Sequence, residues 1–131
     1  MESKWFLYFI WHNSWTIIAS IILLYKYVYS VFGLNFHIEL STRPEEKYIG
    51  DIEIWNKSEE ALAAACKAAG KDYKVNPGDG AFYGPKLDFH VKDSLGRVWQ
   101  CGTIQLDMNL PERFDLTYIA EDGSKKRPIM I

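Results

Sequence analysis

The sequence predicts an α+β domain in which a mainly antiparallel sheet packs against one long helix. Three observations predict it: apolar residues that alternate over positions 34–40, an apolar-faced helix over 52–69, and two adjacent strand-like segments at 86–93 and 97–107. The chain has 131 residues, of which 48% are hydrophobic, which is enough for one domain with a core and excludes a disordered tail. Its net charge of −2 gives no global sign of a nucleic-acid binder.

The first strand and the helix have clear boundaries in the sequence. Apolar and polar residues alternate from Leu34 to Leu40, which is the period of a half-buried strand. Pro44 then ends the pattern, because a proline biases the residue before it away from helix. We expect a helix from about Ile52 to Ala69, with Asp51 as the N-cap and Gly70 in the left-handed position after its end. Its predicted buried face is formed by Trp55, Leu62, Cys66 and Ala69.

The two central segments predict a hairpin with one apolar and one polar face. Leu87, Phe89 and Val91 should enter a core, and the alternate residues of the strand, Lys86, Asp88, His90 and Lys92, should point the other way. If Asp93 faces Gly96 across the turn, Lys86 lies opposite Thr103 and Asp88 opposite Cys101, with Gln105 on the same face. Such a face could bind a small polar substrate. The alternative is an ordinary solvated outer surface.

A second hairpin is predicted at the end of the sequence. It pairs residues 114–120 with 127–131 around Asp122-Gly123. The basic run Lys125, Lys126, Arg127 is then the tip of a solvated hairpin, which is a commoner role for such a run than a phosphate contact.

The first 27 residues differ in composition from the rest. No charged residue occurs from Trp5 to Tyr25, so the length test for a membrane helix is met, although His12, Asn13 and Ser14 interrupt the apolar stretch. Residues 1–27 are therefore a segment foreign to the domain that occupies residues 28–131. The segment is either a membrane anchor, through residues 5–25, or an artefact of the gene model or reading frame. We expect residues 1–26 to pack little against the domain.

Cysteines and histidines are few and scattered. Cys66 and Cys101 show no CxxC spacing, which favours a reducing compartment and argues against a disulfide framework. His12, His37 and His90 form no HExxH-like pair. We therefore predict no metal site.

Residues 28–131 resemble threonyl-tRNA synthetase, a class II aminoacyl-tRNA synthetase. The residues that carry the resemblance are LSTRPE (40–45), IGDIEIW (49–55), GAFYGPK (80–86), QCGTIQLD (100–107) and LPERF (110–114). The similarity is nearly continuous over a hundred residues. It implies a fragment of the class II catalytic fold.

The resemblance also implies an activity. The family uses ATP and magnesium to convert threonine into threonyl-adenylate, with the threonine carboxylate attacking the α-phosphate, and then transfers threonine to its tRNA. The implied partners are threonine, ATP, threonine tRNA and a second subunit in a homodimer, and the implied location is the cytoplasm.

By the same resemblance, Lys86 is the expected catalytic residue, close to the adenylate phosphate. The expected substrate- and ATP-binding residues are Tyr83, Lys86, Gln100, Cys101, Thr103 and Gln105. Strict alternation would put Gln100 on the opposite face from Thr103 and Gln105. A β-bulge at Gly102 would bring Gln100 onto their face.

Several family features are expected outside this sequence. Signature motifs 1 and 2 lie upstream in the family and motif 3 lies beyond Ile131. The zinc of the full-length family uses an upstream cysteine, an upstream histidine and a histidine expected just past Ile131. We therefore expect the 131 residues to be inactive alone. One alternative is a non-catalytic binding or interaction protein derived from this fold, with or without a membrane anchor. Another is that the fragment associates with the remaining parts of the enzyme, encoded separately.

Overall fold

The computed structural model describes residues 2–107 and 109–131, with side chains from residue 14 onward. The elements are α1 (Glu2–Val31), β1 (Phe36–Ser41), α2 (Ile52–Ala68), β2 (Tyr73–Asn76), β3 (Lys86–Lys92), β4 (Val98–Gln105), α3 (Asn109–Arg113), β5 (Tyr118–Ile119) and β6 (Lys125–Lys126).

Four strands form one mixed sheet in the order β2-β1-β3-β4. The β3–β4 pair is antiparallel, as predicted. The β1–β3 pair is also antiparallel, and β2 is parallel to β1. Because parallel neighbours need a long crossover, α2 serves as the connection between β1 and β2. Strand β2 was not predicted from the sequence. It is a four-residue edge strand in which Tyr73, Lys74 and Val75 are all exposed, so no alternation of burial marks it.

The core lies between the two long helices and one face of the sheet. From the sheet it takes Ile38, Leu40, Leu87, Phe89 and Ile104, and from the helices Ile18, Ile22, Leu62, Ala65 and Cys66. Both helices therefore cover the same face. The opposite face carries the alternate, polar residues of β1, β3 and β4.

Helix α2 forms as predicted. The Asp51 side chain accepts a hydrogen bond of 2.8 Å from the backbone N–H of Glu53, which satisfies one of the free donors of the first turn. Gly70 follows the helix at φ +62°, the left-handed conformation expected after its end. The buried residues Trp55, Leu62 and Cys66 lie on one face, which confirms the predicted burial pattern.

The expectation that residues 1–26 pack little against the domain is wrong for the side chains that the structure describes. Ile18 and Ile22 are fully buried in the core, and the Tyr25 ring stacks on Phe89 with a centroid separation of 4.2 Å. Ile17, on the outer side, is 52% exposed. Phe6 and Ile10, which the expectation also concerned, lie outside the described side chains. The predicted boundary at residue 27 falls inside a helix that packs on the sheet.

One described helix is long and apolar enough to cross a membrane. Its window Ser14–Val31 has a mean hydropathy of 1.3, and 22% of the window is buried. Length and composition alone do not distinguish a membrane span from a helix that packs on a core. The burial of Ile18 and Ile22 shows that one side of this helix packs on the core.

The last hairpin differs from the prediction. Tyr118–Ile119 pairs with Lys125–Lys126, which precede the predicted second strand at 127–131, and a bridge between Met130 and Asp107 holds the segment that follows. The basic run forms ion pairs within the chain: Lys126 with Asp122 and Arg127 with Asp115, each at 3.0 Å. The prediction that this run is the hairpin tip is wrong, because Lys125 and Lys126 form the second paired strand and the turn precedes them.

The packing of α1 can be measured with two isoleucines of the same helix. Ile22→Ala should lower the free energy of unfolding by about 2–5 kcal/mol, because it leaves a cavity at a fully buried site. Ile17→Ala, at an exposed position, should change it by no more than about 0.5 kcal/mol. Urea unfolding followed by circular dichroism measures both, and equal effects of the two substitutions would show that α1 does not belong to the cooperative core.

Candidate functional site

The candidate site is the polar face of the sheet, on the side away from α1 and α2. Alternation puts Ser41 of β1, Lys86 and Asp88 of β3, and Thr103 and Gln105 of β4 on this face. Leu87, between the two polar residues of β3, is fully buried in the core, as predicted. The apolar face thus fixes the strands, and the polar face presents their functional groups.

Asp88 is the centre of this face. Its side chain is only 2% exposed and accepts four hydrogen bonds, two at each oxygen. Oδ1 accepts from Gln100 Nε2 at 2.7 Å and from Thr103 Oγ1 at 2.9 Å. Oδ2 accepts from Lys86 Nζ at 2.6 Å and from Ser41 Oγ at 2.8 Å. A buried carboxylate is stable when its oxygens are satisfied in this way.

Lys86 lies between two carboxylates that differ in their exposure to solvent. Its ammonium lies 2.6 Å from the buried Asp88 and 3.6 Å from Asp79, whose side chain is 59% exposed. Asp79 lies in the loop that follows β2, at residues 77–80, and leads to the segment before β3. One partner therefore fixes the position of the ammonium, and the other is an exposed loop side chain.

Tyr83 lies at the rim of the face. Its hydroxyl donates to Gln105 Oε1 at 2.9 Å, and its backbone carbonyl accepts from Asn109 Nδ2 at 2.6 Å. The next residue, Gly84, packs so closely on the carbonyl of Leu106 that a Cβ would collide with it. Glycine in the GAFYGPK segment therefore lets the loop lie against the end of β4 and holds Tyr83 over the site.

The predicted register of the hairpin is wrong by two residues at the site. Lys86 pairs with Gln105 and Asp88 with Thr103, whereas the sequence analysis paired Lys86 with Thr103 and Asp88 with Cys101. Part of the error lies in the turn. Asp93 pairs with Arg97 through a backbone hydrogen bond of 2.9 Å, and Gly96 adopts φ +79°, so three residues form the turn instead of two.

A β-bulge accounts for the rest of the difference. Phe89 pairs with Gly102 and His90 with Gln100, so Cys101 is the extra residue. The bulge brings Gln100 onto the polar face, where its amide nitrogen also lies 2.9 Å from Thr103 Oγ1. An interruption of the alternation at this point, which the sequence analysis required for Gln100, is therefore present.

Cys101 does not join the cluster around Asp88. It is exposed and makes no hydrogen bond to that cluster within the described part of the chain. The pKa of Tyr29 in α1 is raised by burial and next by the neighbouring Cys101, so Cys101 lies on the α1 side of the sheet. On the same side, a Cβ at Gly102 would come within 2.5 Å of the Tyr25 hydroxyl.

The structure thus brings together five of the six expected binding residues: Tyr83, Lys86, Gln100, Thr103 and Gln105. It also adds Asp88, Ser41 and Asp79, which the sequence analysis did not include among the site residues. Asp88 could have been identified from the sequence, because it is a carboxylate that lies between Lys86 and His90 on the predicted polar face. Ser41 and Asp79 could not be found in this way, because their contacts depend on the β1–β3 register and on a loop.

Comparison with known proteins identifies the family. A model of the tRNA synthetase class II core domain (G, H, P, S and T) matches residues 5–131. The chain belongs to this class II synthetase core family. The match begins within the first 27 residues and so includes most of α1.

Within the family, the chain is similar to threonine–tRNA ligases, which confirms the resemblance seen in the sequence. It is 63% identical over 114 residues to the threonine–tRNA ligase of Desulfatibacillum aliphaticivorans, covering 87% of this chain and 18% of the relative. It is 62% identical over 115 residues to the enzyme of Fusobacterium nucleatum subsp. nucleatum, covering 88% and 18% respectively. The chain therefore spans about a fifth of the length of these curated relatives.

A solved structure agrees with the fold. The crystal structure of the RNA binding domain of threonyl-tRNA synthetase from Cryptosporidium parvum Iowa II superposes with a TM-score of 0.84 at 41% identity, covering 90% of this chain and 30% of that one. The α+β fold and its assignment to the class II synthetases are thereby confirmed.

The importance of Asp88 for the polar face can be tested by removing its carboxylate. Asp88→Ala should lower the free energy of unfolding by about 3–5 kcal/mol, because it leaves Lys86 without its buried counter-charge. Asp72→Ala, at an exposed aspartate, should change it by less than about 0.5 kcal/mol. Chemical unfolding compares the two, and an Asp88→Ala chain as stable as Asp72→Ala would contradict the central role of this residue.

The two cysteines should differ in reactivity. Burial raises the pKa of the Cys66 thiol to about 11, so its thiolate is scarce at pH 8, and the surrounding core excludes reagent, whereas Cys101 is exposed. An aromatic disulfide reagent should therefore modify one thiol per native chain quickly. Cys101→Ser should remove this fast reaction and Cys66→Ser should retain it. Two fast thiols in the native chain would contradict the burial of Cys66.

Proposed function

We propose that the polar face is part of the threonine- and ATP-binding site of a threonine–tRNA ligase. The observation that carries the proposal is the Asp88 cluster, which holds a lysine, an amide and a hydroxyl together on one sheet face. The chain represents about a fifth of the length of its relatives, so the complete reaction belongs to the proposal.

The proposed role of Lys86 is to place positive charge beside the phosphate of the adenylate. The reaction forms a bond between a threonine carboxylate oxygen and the α-phosphorus of ATP and breaks the bond to pyrophosphate. Negative charge on the phosphate oxygens is then stabilised best by a fixed cation. Asp88 fixes Lys86 before any substrate arrives, so little ordering is needed when the phosphate binds.

Asp79 has a proposed role as the group that a phosphate replaces. Its carboxylate faces Lys86 at 3.6 Å but is 59% exposed and belongs to a loop containing Gly78 and Gly80. Moving the Asp79 side chain away exposes little buried surface, whereas moving Asp88 would break four hydrogen bonds. An incoming phosphate would therefore exchange with Asp79 and leave Asp88 in position.

The remaining polar residues would line the pocket for the two substrates. Tyr83 and Gln105, joined by a hydrogen bond, would border the amino-acid side, and Gln100 and Thr103 would form the floor. Each carries both a donor and an acceptor, so each can exchange a protein contact for one to an amino group, a hydroxyl or a ribose. Cys101, exposed on the α1 side, has no proposed contact with substrate.

The wider assignments follow from the same proposal. The site would use ATP with magnesium, and the threonyl group would pass to the terminal ribose of threonine tRNA in the cytoplasm, within a homodimer. The alternative, a non-catalytic protein anchored in a membrane through residues 5–25, has in its favour only the length and hydropathy of α1. The buried Ile18 and Ile22 favour a helix that belongs to the catalytic domain.

Binding of a non-hydrolysable threonyl-adenylate analogue tests the proposal. In two-dimensional amide NMR spectra of the chain, the analogue should shift resonances of β3 and β4 around Lys86 and Thr103. Lys86→Ala should weaken binding at least about tenfold, because a hydrogen bond to a charged group contributes about 1.5–3 kcal/mol. Asp79→Asn should strengthen binding, because it removes the group that competes for Lys86.

Lys92→Ala is the matched control. Lys92 lies on the same strand and is exposed, but no ion pair joins it to the Asp88 cluster in the described structure. Its removal should leave the affinity unchanged. Equal losses in Lys86→Ala and Lys92→Ala, or shifts confined to other parts of the chain, would refute the assignment of the site.

A further inference from the structure

A second group of side chains lies at the other end of the polar face. His37 and Glu39 are alternate residues of β1, and His90 of β3 is the direct partner of His37. The two imidazole rings stack with centroids 5.0 Å apart, and Nε2 of His37 is 3.8 Å from Oε1 of Glu39. One ligand-type atom from each of the three residues lies within 4.8 Å of the others.

Neighbouring contacts leave the metal-binding atoms of this group available. Asn76 donates a hydrogen bond of 3.3 Å to Oε2 of Glu39, so the other carboxylate oxygen stays turned toward His37. Nδ1 of His90 is buried and has no hydrogen-bond partner among the residues that the structure describes. A buried polar atom without a partner is uncommon in a folded protein, and no described protein group competes with a metal ion for this nitrogen.

We infer that His37, Glu39 and His90 form a site for a divalent transition-metal ion of the zinc type. Two imidazoles and one carboxylate are ligands that zinc, cobalt and nickel accept, and three protein ligands leave the fourth tetrahedral position to water. At zinc's bond lengths the ligand atoms would be about 3.4 Å apart, so they must approach one another slightly. His37, with a side chain 48% exposed, has room to move.

The site differs from the zinc that the resemblance implies, which uses a cysteine and two histidines, and it does not depend on the proposed function. Sequence spacing could not identify it, because the three residues converge only through the β1–β3 register. Lys74 lies opposite Glu39 on β2, and Lys92 follows His90 by two residues. Both lysines are exposed, and their positive charge opposes cation binding. We therefore expect the metal ion to bind reversibly.

Zinc and cobalt titrations of the untagged, reduced chain test the inference. One ion per chain should bind, and cobalt should give the visible absorption of a tetrahedral or five-coordinate centre. Alanine at His37 or at His90 should each weaken zinc binding more than a hundredfold, since loss of an outer-shell partner alone typically costs 10–100-fold. Asn76→Ala, which removes the hydrogen-bond donor to Glu39 together with a donor to Asp79, should weaken it about tenfold.

The chain supplies its own controls. His12→Ala removes the third histidine of the sequence, and Cys101→Ser removes the exposed thiol. Both variants should bind zinc as the parent chain does. A readout that needs no substitution is the imidazole proton NMR spectrum of the parent chain, in which zinc should shift the signals of two histidines and leave the third unchanged.

Each outcome of these experiments either supports or overturns the metal site. Loss of binding in His37→Ala and in His90→Ala, with retention in both controls, supports it. Absence of zinc binding by the parent chain overturns it, as do binding that survives both histidine substitutions, binding lost with His12 or Cys101, and zinc-induced shifts of a different pair of histidines.

Discussion

The carboxylate of Asp88 is the constraint on which the polar face depends. It is nearly inaccessible to water, yet it lies on the face that the helices do not cover, because its own four donors enclose it. Those donors come from β1, β3 and β4, so one charge joins three strands. Removal of a donor would leave a buried lone pair unsatisfied, which makes the arrangement of Lys86, Gln100 and Thr103 mutually dependent. A surface built in this way is fixed before a ligand binds.

The two faces of the sheet are coupled through the bulge at Cys101. On the helix side, Gly102 gives room for Tyr25, which stacks on Phe89. On the polar side, the same irregularity directs Gln100 toward Asp88. A larger residue at position 102 would move α1 or the strand, and either movement would change the orientation of the Gln100 amide. Helix α1, whose composition is unlike that of the rest of the chain, therefore contributes to the geometry of the candidate site from the opposite face of the sheet.

Much of the fold could be predicted because its signals are local. The cap at Asp51, the glycine at position 70 and the alternation of Leu87 with its polar neighbours each depend on a few adjacent residues. The remaining features depend on contacts between distant segments. Strand β2 is an exposed edge whose position is set by its pairing with β1. Helix α1 was interpreted from its apolar composition alone, and composition cannot distinguish lipid from the face of a sheet. Asp79 and the histidine pair likewise meet their partners only after the strands have paired.

The hairpin shows why a wrong register still predicted the right residues on the polar face. Side chains alternate with a period of two, so an error of one residue reverses a strand and an error of two restores it. The third turn residue, Gly96, shifts the pairing by one and brings Gln100 opposite His90. Without a further shift, Thr103 and Gln105 would then point into the core. The extra residue at Cys101 supplies that shift, and all three polar side chains reach the same face. The turn and the bulge are therefore interdependent: a change that removed either irregularity alone would bury part of the candidate site.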